Sequence, residues 1–292
     1  MVTQGKTGNG VVYEQYPGNN DGFPIIFFAG IGVRPIEDVN HGSEESSYLG
    51  LFPDFLNNSS DVEVNVVYQP GVSGGRHKPN FYSDETEKEQ FKAGLDIADG
   101  RRFYPIGHSL GARVPIHLAL NHEYQGLDYN LENILDGCAI APFTTVEDAY
   151  TDPDKGPRTF LWFPDITLTR LLKGFEIPFY YPLHSQKIHD GKEPVKKVKA
   201  WKANFWINVS SGNDLLESDT LAEIMASTVH RHPLIIITSQ DKIFDPDKQR
   251  AISEALESEV LEVDTGHRCF TNRCVTDDLI SKIIEHYQGC LV

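Results

Sequence analysis

Residues 107–111 read Gly107-His108-Ser109-Leu110-Gly111, set between Arg102-Phe103-Tyr104-Pro105-Ile106 and the helically spaced stretch from Ala112 to Leu120. A serine on a tight strand-to-helix turn is held in a strained backbone with Oγ standing clear of the sheet, ready to attack a carbonyl carbon. Glycines two before and two after keep side chains from colliding with the adjoining strand and helix. The pentapeptide alone is weakly specific; the flanks give it weight. Serine also needs a base to take its proton and a third group to orient that base.

An acid and a histidine are therefore sought downstream, in that order. Pro233-Leu234-Ile235-Ile236-Ile237-Thr238 is the most continuous apolar run of the C-terminal half, as expected of a strand covered on both faces. Asp241 and Asp245 follow it. Asp245-Pro246 opens the helical pattern Ala251, Ile252, Ala255, Leu256, which makes Asp245 an N-cap with proline at the first helical position. Asp241 has no such local duty and is the preferred acid, with Asp245 as the alternative. Glu259 to Asp264 alternates like a half-covered strand, and Thr265-Gly266-His267 turns out of it. Of the 11 histidines, His267 is the one whose order and strand context suit a catalytic base.

With these three residues in this order, the chain resembles the α/β-hydrolases over about residues 10–290, apart from a middle insertion. The resemblance implies a mostly parallel sheet flanked by helices. It implies Ser109 as nucleophile, His267 as general base and acid, and Asp241 as the group that orients and stabilises the imidazolium. It also implies an oxyanion hole from the amide of Leu110 and that of Ile31. The latter lies in Ala29-Gly30-Ile31-Gly32, where many relatives carry His-Gly. The elbow serine argues against the epoxide and haloalkane branches of the fold, whose nucleophile is an aspartate.

The elements that must position these residues follow from pattern. Val11–Tyr16 reads as a peripheral strand, Phe23–Phe28 as a central one and Val62–Tyr68 as the next. Pro70 to Gly75 is a Gly-rich turn without the Lys-Ser/Thr ending of a nucleotide loop. Thr86 and Glu89 have capping-box spacing, a strand runs near Ile134–Ala141, and a helix capped by Thr276 or Asp277 closes the chain. Pro105 is discordant: it falls in the strand before the elbow, so either the ladder breaks there or a bulge absorbs it.

Residues 1–142 and 233–292 are thus expected to form one core, and 143–232 an inserted helical cap or lid, too long for a loop. All three tryptophans, Trp162, Trp201 and Trp206, lie in the insertion with Phe163 and Phe205 among its aromatics. They can serve the cap's own core, roof an apolar acyl pocket above Ser109, or both. Val195, Val198, Trp201 or Lys202, and Phe205 fall at helical spacing with lysines on the other face, the pattern of a lid helix or, less often, of a helix lying on a lipid surface.

A formal charge of −16 over 292 residues argues against nucleic acid and disfavours anionic membranes. The start lacks the apolar core of a signal peptide and no stretch has transmembrane length, so a cytoplasmic location is expected. The four cysteines, Cys138, Cys269, Cys274 and Cys290, fit free thiols. Cys269 and Cys274 behind His267 do not have finger or knuckle spacing; a local disulfide or plain packing is expected there, and no metal or cofactor. The expectation is a serine hydrolase of a small to medium apolar ester or thioester. Acyl transfer, carbon–carbon hydrolysis, cofactor-free peroxidation and non-catalytic ligand binding are the alternatives, and the oligomeric state is left open.

Overall fold

The computed structural model of the chain describes residues 2–19, 21–30, 49, 52–70, 84–145, 180–183, 205–208, 218–241, 243–267, 269–271 and 273–291. In chain order the strands are β1 (Thr3–Lys6), β2 (Val12–Tyr16), β3 (Ile25–Phe28), β4 (Val64–Val67), β5 (Tyr104–His108) and β6 (Cys138–Ile140). They continue with β7 (Tyr180–Leu183), β8 (Phe205–Asn208), β9 (Leu234–Thr238) and β10 (Val260–Val263). The helices are α1 (Phe52–Ser60), α2 (Asp84–Ala98), α3 (Arg113–Ala119), α4 (Thr220–Met225), α5 (Pro246–Ala255) and α6 (Arg273–Gly289).

Eight strands form one sheet in the order β1-β2-β4-β3-β5-β6-β9-β10. Pairing is antiparallel from β1 to β2 and from β2 to β4, and parallel from β4 onward. The central runs are continuously apolar because both faces are covered. Ile25, Phe27, Tyr104, Ile106 and Ile236 point to one side, where they join a core with Phe52, Leu279 and Ile283. Their sequence neighbours point the other way. Ile26 and Phe28 meet Phe91 and Val114, while Ile235 and Ile237 meet Ile116 and Ile252. Each fully buried Ile or Phe contributes roughly 1.5–3 kcal/mol.

Pro105 sits in the centre of this sheet, paired in register with Ile26. Its ring nitrogen faces the other neighbour, since the amide of Tyr104 donates to Pro24 O on the β3 side and that of Phe103 to Asn133 O on the β6 side. There the ladder bulges. Phe103 pairs with Ile134 and Ile106 with Cys138, so four steps on one chain oppose three on the other. The extra residue is taken up around Gly137, with φ +85°, where a Cβ would stand 2.6 Å from Pro105 O. The bulge, not a broken strand, accommodates the proline.

Three local expectations change. Thr86 lies inside α2, which starts at Asp84, so it does not cap that helix. The last helix begins at Arg273, ahead of Thr276 and Asp277, and Thr276 donates instead to Phe270 O at 3.2 Å. Within 143–232 the described residues are not all helical: β7 and β8 pair antiparallel and α4 follows, with Phe205 opening β8 rather than closing a helix. The rest of the expected cap, including Trp162, Phe163 and Trp201, lies outside the described residues. Trp206 is on β8.

Candidate functional site

Ser109, Asp241 and His267 lie beyond the C-terminal ends of β5, β9 and β10, the edge at which open parallel sheets place their sites. Ser109 turns directly from β5 into a 3₁₀ segment, Ser109–Ala112, that runs into α3. Its φ of +58° is left-handed, a region that costs a non-glycine residue on the order of 1–3 kcal/mol. The turn closes this tightly because a Cβ at Gly107 would collide with Gly111 O, and one at Gly111 with Phe28 O.

Nε2 of His267 stands 2.9 Å from Ser109 Oγ, and Nδ1 stands 2.8 Å from Asp241 Oδ2. A carboxylate accepts, so Nδ1 carries the proton and Nε2 presents its lone pair to the serine hydroxyl. Asp241 is held from every side. Its Oδ1 accepts from the amides of Ile243 at 2.7 Å and Phe244 at 3.1 Å; its Oδ2 accepts from Thr238 Oγ1 at 2.9 Å and Gln249 Nε2 at 3.1 Å. Burial alone would raise its pKa, but the charge and hydrogen bond of His267 and the two amides outweigh it and hold the carboxyl below its ordinary value. Asp245 is elsewhere: it is the N-cap of α5, accepting from Asp247 N at 2.9 Å.

Leu110 follows Ser109 at the start of the 3₁₀ segment, where backbone amides have no acceptor within the helix. The chain leaving β3 comes close on the other side. A Cβ at Gly30 would stand 2.8 Å from both His108 O and Ser109 Cβ. The preceding carbonyl, Ala29 O, is fixed by two buried amides, Gln69 Nε2 at 2.9 Å and Gln90 Nε2 at 3.0 Å. Ile31, expected to supply the second oxyanion amide, lies outside the described residues. Apolar rings border the relay: Phe244 packs 5.2 Å from His267 and Phe143 5.3 Å from Phe244, while Phe143 N donates to Ser109 O at 3.3 Å.

A family model of alpha/beta hydrolases matches residues 40–275. The chain belongs to the alpha/beta hydrolase family. Solved structures share the fold. A soluble variant of monoglyceride lipase from Saccharomyces cerevisiae is 13% identical, with a TM-score of 0.64 over 99% of this chain and 96% of that one. A monoacylglycerol lipase from Paleococcus ferrophilus is 14% identical, with a TM-score of 0.62 over 94% and 99%. A bromoperoxidase from Bacillus anthracis is 13% identical, with a TM-score of 0.59 over 98% and 99%. Among curated proteins no sequence matches the chain.

Behind its elbow this alpha/beta hydrolase buries a charged cluster that sequence reading missed. Arg113 Nε stands 3.1 Å from Glu87 Oε2, and His117 joins two carboxylates, Nδ1 to Glu87 Oε1 at 2.6 Å and Nε2 to Glu223 Oε2 at 2.9 Å. Tyr124 donates to Glu87 Oε1 at 2.5 Å, and Arg113 also donates to Ser218 Oγ. Burial would raise the Glu87 pKa, but the His117 and Arg113 charges hold it at about 2. Burial would lower that of His117, but Glu87 and Glu223 hold it at about 9. Two cations thus balance two anions across α2, α3 and α4. Arg113 and His117 sit at helical spacing (i, i+4), but their partners lie 26 and 106 residues or more away, beyond any local pattern.

Among the described residues no helix is long and apolar enough to cross a membrane, and no group of three or more His, Cys, Asp or Glu could hold a metal ion. Cys138, Cys269 and Cys290 are free thiols; for Cys269, which is buried, this replaces the expected disulfide option with packing.

Proposed function

We propose that the chain is a serine hydrolase that cleaves a carboxylic ester or thioester through an acyl-serine intermediate. The observation that carries this reading is the unbroken relay Ser109 Oγ to His267 Nε2 to Asp241, with Ser109 at positive φ. His267 takes the serine proton as Oγ attacks the carbonyl carbon, and Asp241 stabilises the imidazolium that forms. The amides of Leu110 and Ile31 receive the oxyanion, each worth roughly 3–4 kcal/mol in the transition state. The imidazolium then protonates the leaving group. Water, deprotonated by His267, attacks the acyl-serine and releases the acid.

A small to medium apolar acyl group fits Phe143 and Phe244 beside the relay. We assign residues 143–232 to a cap over the site, except α4, whose Ile224 packs with Ile116 and Ile252 in the core. The segment leaves after β6 and returns before β9, the strand that Asp241 follows, and the aromatics Trp162, Phe163, Trp201, Phe205 and Trp206 would contribute to its apolar side. The test is hydrolysis of p-nitrophenyl esters from short to long acyl chains, with fluorophosphonate labelling, on the wild type and Ser109→Ala. Activity and labelling lost only in the variant support the reading. A wild type inert toward every ester and unlabelled overturns it.

A further inference from the structure

His108 immediately precedes the serine, at the end of β5, and is fully buried. Its Nε2 lies 3.0 Å from the backbone carbonyl of His267, a residue 159 positions away. A carbonyl can only accept, so Nε2 carries a proton and donates it. On the other edge of the ring, Nδ1 lies beside Gly30, where a Cβ would stand 3.4 Å from it. One side chain thus spans the strand carrying the nucleophile, the loop carrying the histidine and the exit from β3.

The loop holding His267 leaves β10 at Val263 and reaches a 3₁₀ turn at Cys269–Thr271. Such a connection has few ladder hydrogen bonds to fix it, yet the imidazole must stand within 3 Å of both Ser109 and Asp241. The carbonyl that His108 holds belongs to the same residue as that imidazole, so displacing one displaces the other. Packing alone does not require a histidine here. The His108 ring lies 4.9 Å from Phe270 and 4.9 Å from the His267 ring, contacts that any aromatic ring could make. The donor nitrogen is what distinguishes this residue.

We propose that His108 is a positioning residue: its Nε2–H fixes the main chain of His267 and thereby sets the imidazole between Ser109 and Asp241. The proposal rests on the serine-hydrolase reading for its kinetic consequence, but not for its spectroscopic one.

The experiment compares His108→Phe, which keeps an aromatic ring without the donor, with the near-isosteric pair His108→Gln and His108→Met, of which only Gln has an N–H. The readouts are ester kcat and KM, thermal midpoint, and the downfield proton NMR signal of His267 Nδ1–H bonded to Asp241. Phe and Met are expected to lower kcat roughly 10–100-fold with KM nearly unchanged, and to shift or broaden the signal. Gln is expected to restore most of both. The proposal is overturned if Phe or Met matches the wild type in kcat and signal, or if Gln is as impaired as they are at equal thermal midpoint. It is also overturned if Phe and Met fail to fold while Gln folds, since the donor would then serve stability. A wild type inert on esters but with this signal pattern intact counts against the hydrolase reading alone.

Discussion

Glu87 Oε1 of α2 and His117 Nδ1 of α3, the helix that follows the Ser109 turn, meet at 2.6 Å, both nearly sealed from water. With Arg113 and Glu223 they couple α2 and α3 to the segment returning from the insertion. The His117 pKa is raised from 6.5 to about 9, so its contribution to stability is complete below 6.5 and is lost as pH rises through 9. Glu87 is lowered from 4.5 to about 2, so its contribution is complete above 4.5 and is lost as pH falls through 2. The cluster therefore stabilises the fold most between 4.5 and 6.5. Thermal unfolding followed against pH should show an alkaline decline that is smaller in His117→Gln.

Removing one charge of the cluster should be worse than weakening it by pH. Glu87→Gln leaves Arg113 and His117 buried with Glu223 as the remaining anion of the cluster. A loss of about 3–5 kcal/mol is expected in denaturant unfolding. A loss below about 1 kcal/mol would mean that water reaches the cluster.

The two aspartates after β9 should separate cleanly by assay. Asp241→Asn removes the charge that sets the His267 tautomer and should lower kcat by roughly 10⁴-fold. Asp245→Ala removes an N-cap and should cost about 0.5–2 kcal/mol of stability while kcat stays put. The reverse pattern would reassign the acid.

Ser109 stands at φ +58°, where glycine is unstrained. Ser109→Gly should abolish turnover and stabilise the fold by about 1 kcal/mol, since the relieved strain exceeds the added chain entropy. An unchanged or lower thermal midpoint would remove the argument for strain at the elbow.

Gly30 allows the chain leaving β3 to approach the serine. In Gly30→Ala the new methyl would stand 2.8 Å from Ser109 Cβ and from His108 O, so the β3 exit must move away. About 1–3 kcal/mol of stability should be lost. Fluorophosphonate labelling should slow by roughly 100-fold, because the misplacement falls beside Ser109. Labelling at the wild-type rate would show that this approach is not needed for the chemistry.

Much of this was legible from local pattern. The pentapeptide around Ser109 marked a strand-to-helix turn, Leu234–Thr238 marked a strand covered on both faces, and Asp245-Pro246 marked a helix start. Each depends on a few consecutive residues and their steric preferences. The first strand, Thr3–Lys6, escaped because TQGK has no apolar alternation; it is mostly exposed and exists through pairing with β2. The pair β7 and β8 escaped because the surrounding aromatics and lysines also fit helical spacing. Pro105 could be flagged but not resolved, since the residue that absorbs it, Gly137, lies on another strand.

The sequence by itself determined the chemistry on offer: a strained serine, an acid and a histidine in order, each next to a strand end. Only the tertiary structure decided which aspartate faces His267, that His108 holds the His267 carbonyl, and that Glu87, Arg113, His117 and Glu223 share one buried cluster. The reason is range. Turn and strand signals are written in neighbouring residues, whereas these contacts join positions 26 to 159 residues apart and form only once the sheet order is fixed.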